Sequence, residues 1–153
     1  MPINLNDAQV KFTEHLKASG KADSTVIAYS KDVEQLLDFV AKRGKTTISE
    51  ILPEDIDEFK ELLNKQRYTS KSISRKINSI KSFFRFLIGE GLVDKNPTTN
   101  ISHPKIEQSP PRVLSRLEYQ ALRDACRGDS RMYAIVELLL QTGMRISELA
   151  ALT

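Results

Sequence analysis

Hydrophobic residues recur along this chain at three- and four-residue steps, the spacing that gathers side chains onto one face of an α-helix. Leu5, Ala8, Val10, Phe12, Leu16 and Ala18 predict a first helix from Leu5 to Ser19, closed by Gly20. Val26, Tyr29, Val33, Leu36, Leu37 and Val40 form the stripe of a second, which Asp23 or Ser24 can cap. Lys42 and Arg43 put positive charge at its C-terminal end, and Gly44 is free to turn left-handed. Pro53 suits the first turn of a third helix, with Ile56, Phe59, Leu62 and Leu63 as its buried stripe. A fourth helix is predicted from Thr69 or Ser70 to Ile88, before the breaker Gly89-Glu90-Gly91. There Ile73, Ile77, Ile80, Phe84 and Leu87 share one face; Lys71, Arg75, Asn78, Ser82 and Arg85 lie opposite, with Ser79 beside them.

Asn96-Pro97 breaks the pattern, and Pro104, Pro110 and Pro111 predict a linker over 103–112. Residues 1–107 hold every lysine, whereas 108–153 hold six arginines and none, which puts a domain boundary near residue 108. Beyond it, Ser115 and Glu118 have capping-box spacing for a helix through Cys126. An apolar helix from Met132 to Gln141 follows, then a Thr142-Gly143 turn and one more short helix. The expected fold class is all-α: a four-helix domain over 1–102, the linker over 103–112, and the opening helices of a second domain over 113–153.

Composition narrows the functional classes. Hydrophobic content of 40% and charged content of 28% fit a folded globular chain. No stretch approaches the roughly 20 apolar residues that span a bilayer, and the N-terminus does not read as a secretion signal. The lone Cys126 leaves no internal disulfide and no multi-cysteine metal site, so a reducing cytoplasm is the expected setting, with no membrane partner. Net charge is only +3, but it is segregated. Between Glu61 and Glu90 there is no acidic residue, against seven cations: Lys65, Arg67, Lys71, Arg75, Lys76, Lys81 and Arg85. Just before, Glu50, Glu54, Asp55, Asp57, Glu58 and Glu61 crowd together, and helix-end electrostatics is the expected reason for them rather than a role in binding.

A helix with cations along one face can neutralise phosphates and enter a major groove, where Lys71, Ser72, Arg75 and Ser79 would reach base edges. A solvated amphipathic face is the plainer alternative. Thr25, Ala28 and Lys31 offer a second contact surface on the second helix, although Thr25 also fits an ordinary first turn. The most specific feature is Thr142-Gly143-Met144-Arg145-Ile146-Ser147-Glu148-Leu149, where Glu148 can pair with Arg145. A helix-start ion pair explains that spacing equally well.

This segment resembles the T-G-x-R-x-S-E-L box of tyrosine recombinases, the phage-integrase or Xer-like family. Thr25, Tyr29, Asp32, Leu36 and Phe39 resemble the second helix of that family's core-binding domain, and Ser72 to Phe84 its fourth. Asn96-Pro97, Pro104-Lys105 and Pro111-Arg112-Val113-Leu114-Ser115 resemble the linker into its catalytic domain. The likeness covers essentially the whole chain, in order. It implies a SAM-like core-binding domain and duplex DNA as partner, with the two domains of the intact enzyme clamped around it. Four protomers would act together, as a homo- or hetero-tetramer on DNA.

By the same resemblance, Arg145 matches the arginine that binds the scissile phosphate and Glu148 the acidic residue that supports it. Thr25, Lys31, Lys71, Ser72, Arg75 and Ser79 match groove-facing contacts. A tyrosine would attack the phosphodiester to give a 3′-phosphotyrosyl link, with arginines stabilising the charged phosphorus and no metal or nucleotide cofactor needed. The matching tyrosine would lie beyond Arg145. Tyr29, Tyr68, Tyr119 and Tyr133 all precede it and the sequence stops at Thr153, so these residues alone are expected not to cleave DNA. The apolar helix 132–141 is likewise expected to lack much of the surface it would bury. Two other classes stay open: a non-catalytic helical DNA-binding protein, and a helical module whose basic face meets an acidic protein partner.

Overall fold

The computed structural model describes residues 2–105 and 110–152, and every regular element among them is a helix. The chain divides into two compact units, Met1–Glu107 and Gln108–Thr153. The boundary expected near residue 108 falls outside the described residues.

The first unit contains α1 (Leu5–Ala18), α2 (Asp23–Ala41), a 3₁₀ turn (Ile48–Glu50), α3 (Pro53–Lys65) and α4 (Ser70–Gly89). Local chemistry starts each helix. The Asn4 side chain caps α1 by accepting from the Asp7 N–H at 2.7 Å, and Thr69 Oγ1 caps α4 by accepting from the Ser72 N–H at 3.2 Å. At α2 neither Asp23 nor Ser24 acts as the cap. The helix begins one residue earlier, with Ala22 in the cap position and no side-chain bond, so Asp23 instead places its charge in the first turn. Gly44, at φ 84°, takes the left-handed turn expected after α2. Arg67 also turns left-handed between α3 and α4, at φ 59°, a conformation that costs a non-glycine residue on the order of 1 kcal/mol.

The 20-residue α4 packs against α1, α2 and α3. Ile73, Ile77, Ile80, Phe83, Phe84 and Leu87 are all at most 2% exposed. Phe83 meets Phe12 of α1 edge to face at a centroid distance of 5.2 Å. At the head of α3 the buried Asp55 accepts from the Leu52 N–H at 2.7 Å and pairs with Lys45 and Arg43. After α4 the chain returns along the bundle and buries Ile101.

The second unit holds α5 (Arg116–Ala125), α6 (Ser130–Thr142) and α7 (Ile146–Ala150). The Ser115–Glu118 capping box forms as its spacing predicts, with the Ser115 N–H donating to Glu118 at 2.9 Å. Arg123 staples α5 to α6 through Glu137 and through the Tyr133 hydroxyl, 3.0 Å away. None of this unit's described residues is fully buried, so its apolar stripes are covered only in part.

Candidate nucleic-acid interface

On the wheel of α4, Lys71, Arg75, Asn78, Ser82 and Arg85 fall within an arc of about 80°, taking 100° per residue. Lys71, Arg75, Asn78 and Arg85 are exposed and Ser82 is half-buried. The predicted cationic face therefore exists. Lys71 and Arg85 have no carboxylate partner among the described residues.

Arg75 differs. Its Nη1 and Nη2 both donate to Asp32 of α2, the second at 3.0 Å. Asp32 is 2% exposed and also accepts from Lys76 Nζ at 2.9 Å and from Ser79 Oγ at 2.8 Å. Lys76 is itself buried, with a further bond to Gln35 at 2.7 Å and the Tyr68 ring beneath it at 5.2 Å. Two cations thus share one carboxylate, and the surplus charge reaches solvent through Arg75, whose side chain is 47% exposed. A bidentate carboxylate behind a guanidinium fixes its plane and leaves three of its five N–H groups for an outside anion.

Ser79 requires a correction. Sequence spacing put it beside the cationic face, but it is 0% exposed and spends its hydroxyl on Asp32. It sits about 40° beyond Arg75 around the helix, which turns it toward α2 rather than solvent. It does not belong to an exposed contact surface. Ser72 is half-buried, and its hydroxyl accepts from Thr69 Oγ1 at 3.0 Å within the cap of α4. Thr25 is half-buried in the first turn of α2, and Lys31 is exposed on the same helix.

The flank of α4 away from Asp32 carries groups that sequence spacing did not single out. Lys81 Nζ donates to the Ile101 carbonyl at 2.8 Å, and Lys60 Nζ of α3 donates to the Ser102 carbonyl at 2.9 Å. His103 Nδ1 lies 3.0 Å from Ser74 Oγ. His103 is an exposed residue, but partial desolvation of its ring, then the positive charges of Lys81 and Lys60, holds the imidazole below its ordinary range.

In the second unit Gly143 ends α6 at φ 67°, and Arg145 follows as the cap of α7. Glu148 accepts from the Arg145 backbone N–H at 2.7 Å and from its Nη1 at 3.0 Å. Arg145 therefore precedes the helix that carries Glu148. Its side chain is 82% exposed. The pair caps a helix and at the same time aims a guanidinium outward.

Residues 10–91 match the family model described as phage integrase, N-terminal SAM-like domain. The chain is similar to a tyrosine recombinase XerC of Roseiflexus sp. (strain RS-1), at 37% identity over 97% of this chain and 49% of that protein. It is also similar to the crystal structure of XerA recombinase, at 34% identity and a TM-score of 0.51, covering 96% of this chain and 50% of the other. A lambda integrase dimer bound to a COC′ core site shares the fold at a TM-score of 0.77, with 19% identity and coverage of 99% and 42%. The chain spans about half the length of the curated relatives it matches. Its helical bundle, the matched SAM-like segment and these relatives place the chain in the phage-integrase family of tyrosine recombinases.

Proposed function

We propose that this chain is the DNA-binding portion of a site-specific recombinase that cuts and rejoins duplex DNA, acting in the cytoplasm. The exposed arc of α4 carries the reading: Lys71, Arg75 and Arg85 project from one side of one helix, and a single buried carboxylate compensates only part of their charge. In this reading Lys71 and Arg85 neutralise backbone phosphates, and Arg75, held from behind by Asp32, presents its remaining donors to a phosphate or a guanine edge. Lys31, Thr25 and Ser72 are secondary contacts. Arg145 takes the scissile phosphate, with Glu148 fixing its guanidinium through the 3.0 Å bond. The lambda integrase in the matched structure is a dimer on its core site, and the present chain is proposed to act likewise as one of several protomers on DNA. The tyrosine nucleophile is assigned to a position outside these 153 residues, which on their own are proposed not to cleave DNA.

Fluorescence anisotropy with a short random-sequence duplex tests the reading. Three phosphate contacts on the arc give a slope of log affinity against log salt of about −2.7 or steeper, so affinity should fall by at least roughly fortyfold between about 50 and about 200 mM salt. Absence of binding at low salt, or a slope near zero, would remove the proposal.

A further inference from the structure

The two flanks of α4 treat charge differently. On the α2 side, Arg75 and Lys76 meet a carboxylate, which cancels a full unit of charge. On the other side, Lys81 meets the Ile101 carbonyl and Lys60 meets the Ser102 carbonyl and, at 3.4 Å, its hydroxyl, with no carboxylate partner among the described residues. A carbonyl fixes an ammonium in place without neutralising it, and each ammonium keeps further donors free. Both lysines are half-buried, so their stems are already ordered and have less rotamer entropy to lose on meeting a ligand. His103 completes the group. Among the described residues, the charges acting on it are Lys81 from α4 and Lys60 from α3, both positive, and Lys105 follows on its own segment. Around α4, the buried Ser74 and the half-buried Lys81 lie about 20° and 40° past Arg85, so this cluster borders the exposed cationic arc.

We propose that Lys60, Lys81 and His103 form a phosphate seat for the DNA backbone, and that His103 takes up a proton when the phosphate arrives. The inference rests on the DNA-binding reading above and names a second contact within it. Two fixed ammonium groups hold the phosphodiester. Its negative charge replaces a cationic surrounding with a neutralised one, which favours the imidazolium form and adds a third donor. Proton uptake on binding makes affinity rise as pH falls.

The chain has two histidines, His15 and His103, so the origin of a response near neutral pH can be assigned by substitution. In anisotropy titrations of the 153-residue chain with a random-sequence duplex at constant ionic strength, affinity should rise about three- to tenfold from about pH 7.5 to about pH 6. His103→Asn keeps a polar side chain facing Ser74 and should abolish that rise, whereas His15→Asn should leave it intact. Lys60→Gln and Lys81→Gln should each reduce the salt slope by about one. Salt-sensitive binding that is flat with pH, or a rise that survives His103→Asn, overturns the seat and leaves the α4 interface standing. Failure to bind at any pH in low salt overturns both.

Discussion

Asp32 is the point at which folding and the proposed interface meet, and its replacement has a calculable effect. Asp32→Asn preserves shape and removes the charge. Arg75 is half-exposed and can turn to water, so the loss of its partner costs little, within the roughly 0–1 kcal/mol of a surface pair. Lys76 cannot escape so easily: its side chain is 8% exposed and its ammonium would keep Gln35, the Tyr68 ring and at best the new amide oxygen, with no counter-charge. Stranding a buried charge costs about 3–5 kcal/mol. Against a total of about 5–15 kcal/mol for a small domain, that is roughly a fifth or more of the stability, and a drop in melting temperature of at least about 12 °C. Urea unfolding followed by far-ultraviolet circular dichroism reads it directly. Ser79 keeps an alternative acceptor in the Arg75 carbonyl at 3.2 Å, so removing both buried charges leaves no stranded hydroxyl. Asp32→Leu with Lys76→Met should therefore return to within about 1 kcal/mol of the parent. A loss below about 1 kcal/mol for Asp32→Asn, or a double variant less stable than the single one, would show that no buried charge was being compensated.

Further outcomes are open to measurement. Lys71→Gln combined with Arg85→Gln should lower the salt slope of DNA binding by about two with little change in melting temperature; an unchanged slope would take these side chains off the DNA. The depressed pKa of His103 means that its neutral form stabilises the first unit. That contribution is complete above the ordinary value of 6.5 and is lost as pH falls through the lower folded value. His103→Asn should therefore make the first unit less acid-sensitive than the parent, and parallel stability curves would contradict the assignment. The 153 residues should trap no covalent adduct on a nicked suicide duplex; an adduct would mean that one of Tyr29, Tyr68, Tyr119 or Tyr133 is a nucleophile after all.

Helices that bury a regular stripe were legible from spacing alone. Ile73, Ile77, Ile80, Phe84 and Leu87 recur at three and four residues, and all are buried where that period puts them. Polar residues at the edge of a stripe were not, because their side depends on which neighbour lies there. Ser79 and Arg75 are one turn apart on α4 and both reach Asp32, yet one is sealed and the other half-exposed. A signal for this existed: Asp32 stands beside Val33 and between Tyr29 and Leu36 on a stripe otherwise apolar, and a carboxylate there needs a buried cation. The seat at His103 had no such signal. Lys60, Lys81 and His103 are far apart in sequence and come to one region only because the segment at 101–103 folds back along α4 after Pro97. At Arg145 the sequence left a helix cap and a phosphate-binding arginine equally open, and the geometry accommodates both. One oxygen of Glu148 takes the backbone N–H and the other the guanidinium.

Counting cations therefore misjudges what a helix offers a polyanion; what matters is the kind of partner each cation meets. Of the five on α4, Arg75 and Lys76 face a single carboxylate, Lys81 faces a carbonyl, and Lys71 and Arg85 face water among the described residues. Only the carboxylate subtracts charge, so a helix with two of its cations turned inward still carries a net excess of four. That excess is unevenly spread. It is partly cancelled toward α2 and undiminished toward the segment at 101–103, where Lys60 of α3 adds to it. A phosphate backbone approaching α4 would feel the stronger pull on the His103 side. The asymmetry gives the helix a preferred side for the strand, which a symmetric stripe of lysines would not.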